Sequence, residues 1–440
     1  MSALPMTKSF RQLDTLKLEA EASCITELNK RFAVAKVGGK TLVLDTFSEA
    51  LDALSFRDFE NMYNNVDVMV GKSSSPLGKY WLSHTNRRQF LDGITFQPGT
   101  IVAQGQYNLW SGFAVEPDDT ADCSLFLEHL KTVICSGSDI QNEYFLNWLA
   151  LMVQHPGRLP EVAIGLLSGQ GTGKGLFMQY LGKLLGRHYK HITDKNHLVG
   201  NFSGHLHDAV LVFADEFSWT GNKSDAAILK ALITEPTRFM EKKFADAIQV
   251  KNCTHLIVAS NNPYAIPAET TDRRYCVLSV SDCKKEDHSY FYNLAGEMNS
   301  GGPSGLLATL QRRDISLFRP SDFPKTSVRT EQQLQSLPSV ETWFFECLQT
   351  GSTQNTSQCW PERQLKKDVY QHFFDWFNKR REPGTVPRIG AFTSALKKFG
   401  VVAQRQTGGG RNYDYGFPSL ENARAKFEKV LGSDIDWEEN

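Results

Sequence analysis

Residues 162–186, VAIGLLSGQGTGKGLFMQYLGKLLG, constrain the fold more than any other stretch. An unbroken apolar run leads into a glycine-rich loop and a lysine, and apolar residues then recur at helical spacing. A strand without a polar face must be covered on both sides, so this pattern predicts a parallel sheet flanked by helices. A strand, glycine loop and helix in that order also form an anion site. Loop N–H groups converge on the ligand, and the helix N-terminus adds partial positive charge. The loop residues Gly169, Gly171, Thr172, Gly173, Lys174 and Gly175 are expected to hold the phosphates of ATP, with Lys174 reaching the β- and γ-phosphates. Two positions depart from the usual pattern. Ser168 stands where the first glycine belongs, and Gly175 stands where a Ser or Thr hydroxyl would bind Mg2+.

Further motifs follow in order. The apolar run AVLVFADEF ends in Asp215 and Glu216, an acidic pair that is costly at a buried strand end unless it meets a cation. Asp215 is expected to be the metal ligand, and Glu216 to polarise an attacking water. HLIVASNNP ends another core strand on Asn261, an amide able to touch both that water and the γ-phosphate. Asn262 is the alternative, with a turn-capping role before Pro263. In TDRRYCVLSV, Arg273 and Arg274 precede a further strand; either could act on a neighbouring subunit's nucleotide, or both could sit in a surface salt-bridge cluster. Between the acidic pair and Asn261, ILKALITEPTRFMEKKFADAIQVKN reads in its latter part as a hairpin carrying Lys242, Lys243, Phe244 and Lys251. Lysines beside an aromatic suit contact with single-stranded nucleic acid, and equally suit a lysine-protected sheet edge.

Charge bounds the remaining possibilities. Lys and Arg total 48 against 49 Asp and Glu, so nucleic acid is not bound through overall charge. The segment between Pro361 and Leu431 is locally basic, with 14 Lys/Arg and 7 Asp/Glu. Its order, ERQLKKDVYQHFFDWFNKRR, GAFTSALKKFG and RQTGGGRNYDYGF, predicts two helices and a hairpin, a small winged-helix-like module. SGGPSG (300–305) and GSTQNTSQ (351–358) read as boundaries, RFAVAKVGGKTLVLD (31–45) as two strands around a Gly-Gly turn, and short strand-like pieces are expected around FQPGTIV and YNLWSGFAV. The 8 cysteines form no CxxC pair, so neither a zinc knuckle nor a disulfide framework is indicated. His188, His191, His197, His205 and His207 cluster without carboxylate or thiolate partners at metal spacing and read as polar loop residues. No run approaches the roughly 20 apolar residues of a membrane span, and a cytoplasmic location is expected. Priming chemistry would need paired carboxylates on a strand, and NNVDVMV (64–70) offers only Asp67, so the polymerase-primase half is expected on another protein.

The ordered set GQGTGKG, VLVFADEF, LKALITEP with EKKF and VKN, LIVASNNP and DRRY resembles the superfamily 3 helicases of phages, plasmids and small DNA viruses. It is most similar to the C-terminal helicase part of phage and prophage primase-helicases. YNLWSGFAVEP, NWLALMVQHPG and HLHD extend the resemblance, which covers roughly residues 80 to 345. What it implies is an AAA+-like, commonly hexameric ring that binds ATP and Mg2+ between subunits and grips single-stranded DNA in a central channel, moving 3′ to 5′. Residue by residue it implies Lys174 as phosphate-loop lysine, Asp215 and Glu216 as acidic pair, Asn261 as polar sensor, Lys242 or Lys243 as hairpin lysine, and Arg273 or Arg274 as finger, Arg273 preferred. The expected organisation is an N-terminal α+β module (1–121), a helical collar (122–158), an ATPase domain (159–345) and a basic winged-helix-like module (346–440), the last a candidate contact for duplex DNA or a replication protein. Two rivals stand beside a replicative DNA helicase: a nucleotide-assembled DNA-binding scaffold, favoured by Gly175, and a site-specific replication initiator.

Overall fold

The computed structural model describes residues 21–48, 52–70, 73–200, 204–216, 223–240, 248–261, 274–353, 359–382, 384–405 and 413–437. At its centre lie five strands, all parallel: β1 (Ala163–Leu167), β2 (Tyr189–Ile192), β3 (Leu211–Ala214), β4 (His255–Ser260) and β5 (Tyr275–Ser279). Their spatial order is β2-β3-β4-β1-β5. The chain leaves β1 for the far edge, returns strand by strand to β4, and then passes β1 to reach β5. The order therefore reverses at β1, and in such sheets ligands bind outside the carboxyl ends of the strands at the reversal.

Side chains alternate across the sheet, and both faces are buried. On one face Ile164, Leu166, Phe213, Ile257 and Cys276 pack with Phe126, Phe145, Trp148, Phe177 and Leu181 from surrounding helices. On the other, Ala163, Val212, Val258 and Val277 meet Leu198, Leu229 and Ile233. The helix Asp139–Gln154 starts at Ser138, whose hydroxyl accepts from Gln141 N–H, and its Trp148 indole N–H donates to the Val162 carbonyl at 3.0 Å.

SGGPSG is not a boundary. It opens the helix Gly302–Arg312, with Gly302, Pro303 and Gly305 buried. Gly302 and Gly305 allow that helix to approach Tyr180 and the Ala121 backbone, where a Cβ would collide. Low side-chain volume here serves close packing rather than chain reversal. The short strands around FQPGTIV and YNLWSGFAV are Gly93–Thr95 and Gln106–Asn108, paired parallel, and FQPGTIV itself turns at Pro98 and Gly99 (φ +69°). The strands Phe32–Val37 and Lys40–Asp45 pair antiparallel about left-handed Gly38 and Gly39, and Asp67 begins a two-stranded ribbon. Toward the C-terminus come the helix Ser339–Thr350, the strand Arg363–Leu365, the helices Lys366–Arg380 and Ile389–Lys397, and the antiparallel strands Val402–Arg405 and Tyr413–Gly416. They enclose a separate core around Trp343, Phe373, Phe392 and Phe427. Residues 354–358 and the tip of the last hairpin lie outside the described residues. No helix among the described residues is long and apolar enough to cross a membrane.

His188 is a core residue rather than a loop residue. Fully buried, its ring packs on Trp110 at 4.5 Å, takes the Ser111 N–H at 3.1 Å and meets the Asp208 carbonyl at 2.7 Å. Asp208, also fully buried, faces Arg187 at 3.1 Å and Lys190 at 3.0 Å. Desolvation pushes His129, His188 and His255 each down to about 4, so all three fold in the neutral form. The unfolded chain, with imidazoles near 6.5, binds protons first as pH falls. Their stabilising contribution is thus complete above pH 6.5 and drains away between about 6.5 and 4, each costing about 1.4 kcal/mol at pH 5.5. A urea midpoint clearly lower at pH 5.5 than at pH 7.5 is expected; an unchanged midpoint would contradict neutral burial.

Candidate functional site

The site is assembled at the carboxyl edge of the sheet. The loop after β1 runs from Ser168 to Gly173 and enters the helix α1 (Lys174–Leu185). Gly171 (φ +77°) and Gly173 (φ +90°) adopt left-handed conformations that expose successive N–H groups, and Gly173 occupies the helix N-cap with no side chain to block it. Thr172 is buried, its hydroxyl 3.0 Å from that of Ser168.

Lys174 brings three loops together. Its ammonium donates to the Ser168 hydroxyl, to the Gly169 carbonyl at 3.4 Å, and to Asn261 Oδ1 at 3.1 Å, just past the end of β4. Partial burial lowers its pKa, while the charges of Asp215 and Glu216, past the end of β3, pull it back up. Asp215 is half-buried, with its N–H on the Ile192 carbonyl at 2.8 Å. Glu216 is exposed and held at φ +52°, its N–H donating to Asp215 Oδ1 at 2.9 Å. An unstrained glutamate would avoid that conformation, which costs of order 1–3 kcal/mol.

Other expected residues lie elsewhere. Arg274 precedes β5 at the opposite edge of the sheet, its carbonyl accepting from Ala163 N–H at 2.7 Å. One strand of five residues, about 16 Å, therefore separates it from the phosphate loop of its own chain. Lys251 is exposed at the base of the antiparallel pair Thr237–Met240 and Ile248–Lys251. Lys242, Lys243, Phe244, Asn262 and Arg273 lie outside the described residues.

Two neighbours escaped sequence reading. His191 on β2 stands 3.6 Å from the Asp215 carboxylate and stacks on Phe213 at 5.1 Å. His129, far upstream, is buried against Gly173. The histidine cluster drew notice to His191 but gave no register linking it to Asp215.

The residues fit the groups their chemistry implies. The left-handed glycines, the α1 N-terminus and Lys174 form an oxyanion cradle matching a polyphosphate. Asp215 beside that cradle suits a divalent cation, with no hydroxyl contributed at Gly175. Among the described residues there is no cluster of three or more His, Cys, Asp and Glu side chains that could hold a metal ion.

Comparison with known proteins gives three findings. A family model described as a family of unknown function (DUF5906) matches residues 166–274. The DNA primase-polymerase of Nitratiruptor phage NrS-1 is 34% identical over 216 residues, a match taking in 46% of this chain and 30% of that protein. The chain is thus homologous to part of a phage protein and spans about a third of its length. The apo structure of the NrS-1 C-terminal region superimposes with a TM-score of 0.66 at 17% identity, over 89% of this chain and 97% of that one. The A form apo structure of the same region gives 0.64 at 16% identity. The mixed α/β fold with its parallel five-stranded sheet is shared with that region.

Gly173 at the end of the loop and Gly175 in the first turn of α1 should respond differently to alanine. At Gly173 a Cβ would lie 2.6 Å from Phe291 Cε1 and 2.7 Å from His129 Cε1, at positive φ. At Gly175 nothing lies within 4 Å. Gly173→Ala should cost about 1–3 kcal/mol in backbone strain alone, whereas Gly175→Ala should add roughly 0.5–1 kcal/mol. Paired chemical denaturation checks this; equal effects would contradict the loop geometry.

Proposed function

We propose that the chain is an ATP-dependent DNA helicase or translocase acting in phage-type DNA replication. The observation that carries this reading is the convergence of Lys174, Asn261, Asp215 and Glu216 from three strand ends onto one oxyanion cradle. Lys174 neutralises the terminal phosphates of ATP, releasing Ser168 and Asn261. Asn261 and Glu216 then orient a water in line with the γ-phosphate. Bound Mg2+ supplies further charge neutralisation, and Asp215 would hold it. Phosphoryl transfer of this kind needs positioning and charge more than covalent chemistry.

The sheet order, and the fold shared with a phage replication protein's C-terminal region, support an AAA+-like, superfamily 3 assignment. Arg274, at the end of the sheet away from its own phosphate loop, would act as a finger only on another copy's nucleotide, as in a homo-oligomeric ring. Arg273 stands beside it in sequence. The antiparallel pair ending at Lys251, together with Lys242, Lys243 and Phe244 from the sequence between its strands, is the proposed grip on single-stranded DNA in a central channel. The C-terminal order of helix, strand, two helices and hairpin supports a winged-helix-like module facing duplex DNA or a replication partner. A second reading, a scaffold that uses nucleotide only to assemble on DNA, is favoured by the missing hydroxyl at Gly175.

ATP hydrolysis measured with and without single-stranded DNA separates the two. Native turnover should rise with DNA, and Lys174→Ala or Glu216→Gln should each lower it by about two orders of magnitude or more. Native turnover no higher than that of either variant sinks the helicase reading and leaves the scaffold.

The open space at Gly175 allows a complementary gain. Gly175→Ser should fold normally and reduce the Mg2+ concentration needed for half-maximal hydrolysis. An unaltered Mg2+ requirement would mean that this position does not face the cation.

A further inference from the structure

The phosphate loop is backed by a buried imidazole. His129 ends the helix Ser124–His129 and is fully buried, and a Cβ built on Gly173 would stand 2.7 Å from its Cε1 and 3.0 Å from its Nε2. Nδ1 meets the Tyr290 hydroxyl at 3.1 Å. Phe291 packs edge-on against the same ring at 6.1 Å and against Gly173. Nε2 faces the Gly173 backbone, whose proximity opposes the effect of burial on the imidazole, but no hydrogen bond of full geometry forms there. A buried polar group in that state costs about 1–3 kcal/mol, so packing alone would favour an apolar residue. Directly after His129 the chain widens into a π-helical turn, Leu130–Ile134, a rare element concentrated at functional sites.

We infer that His129 is a positioning residue of the nucleotide site. Tyr290 donates to Nδ1 and thereby keeps the ring proton on Nε2, against Gly173. The ring then holds Gly173 left-handed, with the loop N–H groups aimed at phosphate. A triphosphate held by the loop draws the Gly173 carbonyl, already beside Nε2–H, into a full hydrogen bond. Nucleotide occupancy is thereby felt in the helical segment Ser124–Ile134. Burial, which pushes the imidazole down to about 4, keeps this donor uncharged at neutral pH. The inference rests on the ATP reading above.

The test is binding of a non-hydrolysable ATP analogue by calorimetry, together with the melting temperature without nucleotide. His129→Phe keeps a ring and removes both nitrogens; it should weaken the analogue about tenfold while the unliganded melting temperature holds or rises. Tyr290→Phe should weaken binding in the same direction but less, and His129→Gln, which retains an N–H, should recover part of the loss. Undiminished affinity in His129→Phe overturns the inference, as does a loss in His129→Phe and Tyr290→Phe matched by equal loss of unliganded stability. Failure of the native chain to bind the analogue sinks the ATP reading instead.

Discussion

A half-buried ammonium at the edge of the sheet is the constraint around which the site is built. Lys174 loses part of its hydration there, and a cation so placed is tolerated only with acceptors around it. They come from separate parts of the chain: the Ser168 hydroxyl and Gly169 carbonyl after β1, and the Asn261 amide after β4. The carboxylates of Asp215 and Glu216 after β3 add attraction from farther away. No single element could supply this set. It exists because β4 lies between β1 and β3, so that three strand ends open side by side.

Holding those ends in register requires a sheet that cannot shear, and burial on both faces provides it. Helices carrying Phe126, Phe145, Trp148 and Phe177 cover one side, and a smaller aliphatic layer around Leu229 and Ile233 covers the other. The edge strand β2 is secured by a polar device. Asp208, with no solvent exposure, is compensated by Arg187 and Lys190, while neutral His188 joins the Asp208 backbone to Ser111 and Trp110. Removing either cation would leave this buried carboxylate with a single compensating charge. The segment upstream of the sheet is thereby tied to the strand that carries His191, opposite Asp215.

Sequence made the elements of the core legible because their signals are local. The apolar runs ending at Ser168, Asp215 and Asn261 read as buried strands because they are short, β-branched or leucine-rich and bounded by polar or glycine residues. His129 was illegible for the opposite reason. Its role depends on a contact with Gly173 across a long stretch of chain, and nothing in SLFLEHLKTVI distinguishes it from a core histidine. The glycines of SGGPSG misled in another way. Small residues that end an element and small residues that let two helices touch have the same composition, and only the proximity of Tyr180 and Ala121 tells them apart. The hairpin residues Lys242, Lys243 and Phe244 lie outside the described residues, and only the paired base supports that reading.

The loop's two departures from the usual pattern bear on one energetic question. Ser168 brings a hydroxyl to the start of the loop, where it accepts from Lys174 and meets Thr172. Gly175 leaves none at the end, where a cation would be met. A triphosphate entering the loop must therefore take Lys174 from partners that already satisfy it. The net gain is the difference between charge-assisted bonds to phosphate and those to Ser168 and Asn261, which is smaller than the gross strength of either. Affinity for nucleotide then leans on what is pre-set in the loop: the left-handed glycines, the α1 N-terminus and the walls that hold them. This explains why buried His129 and Thr172, with half-buried Phe291 beside them, are packed behind so short a loop.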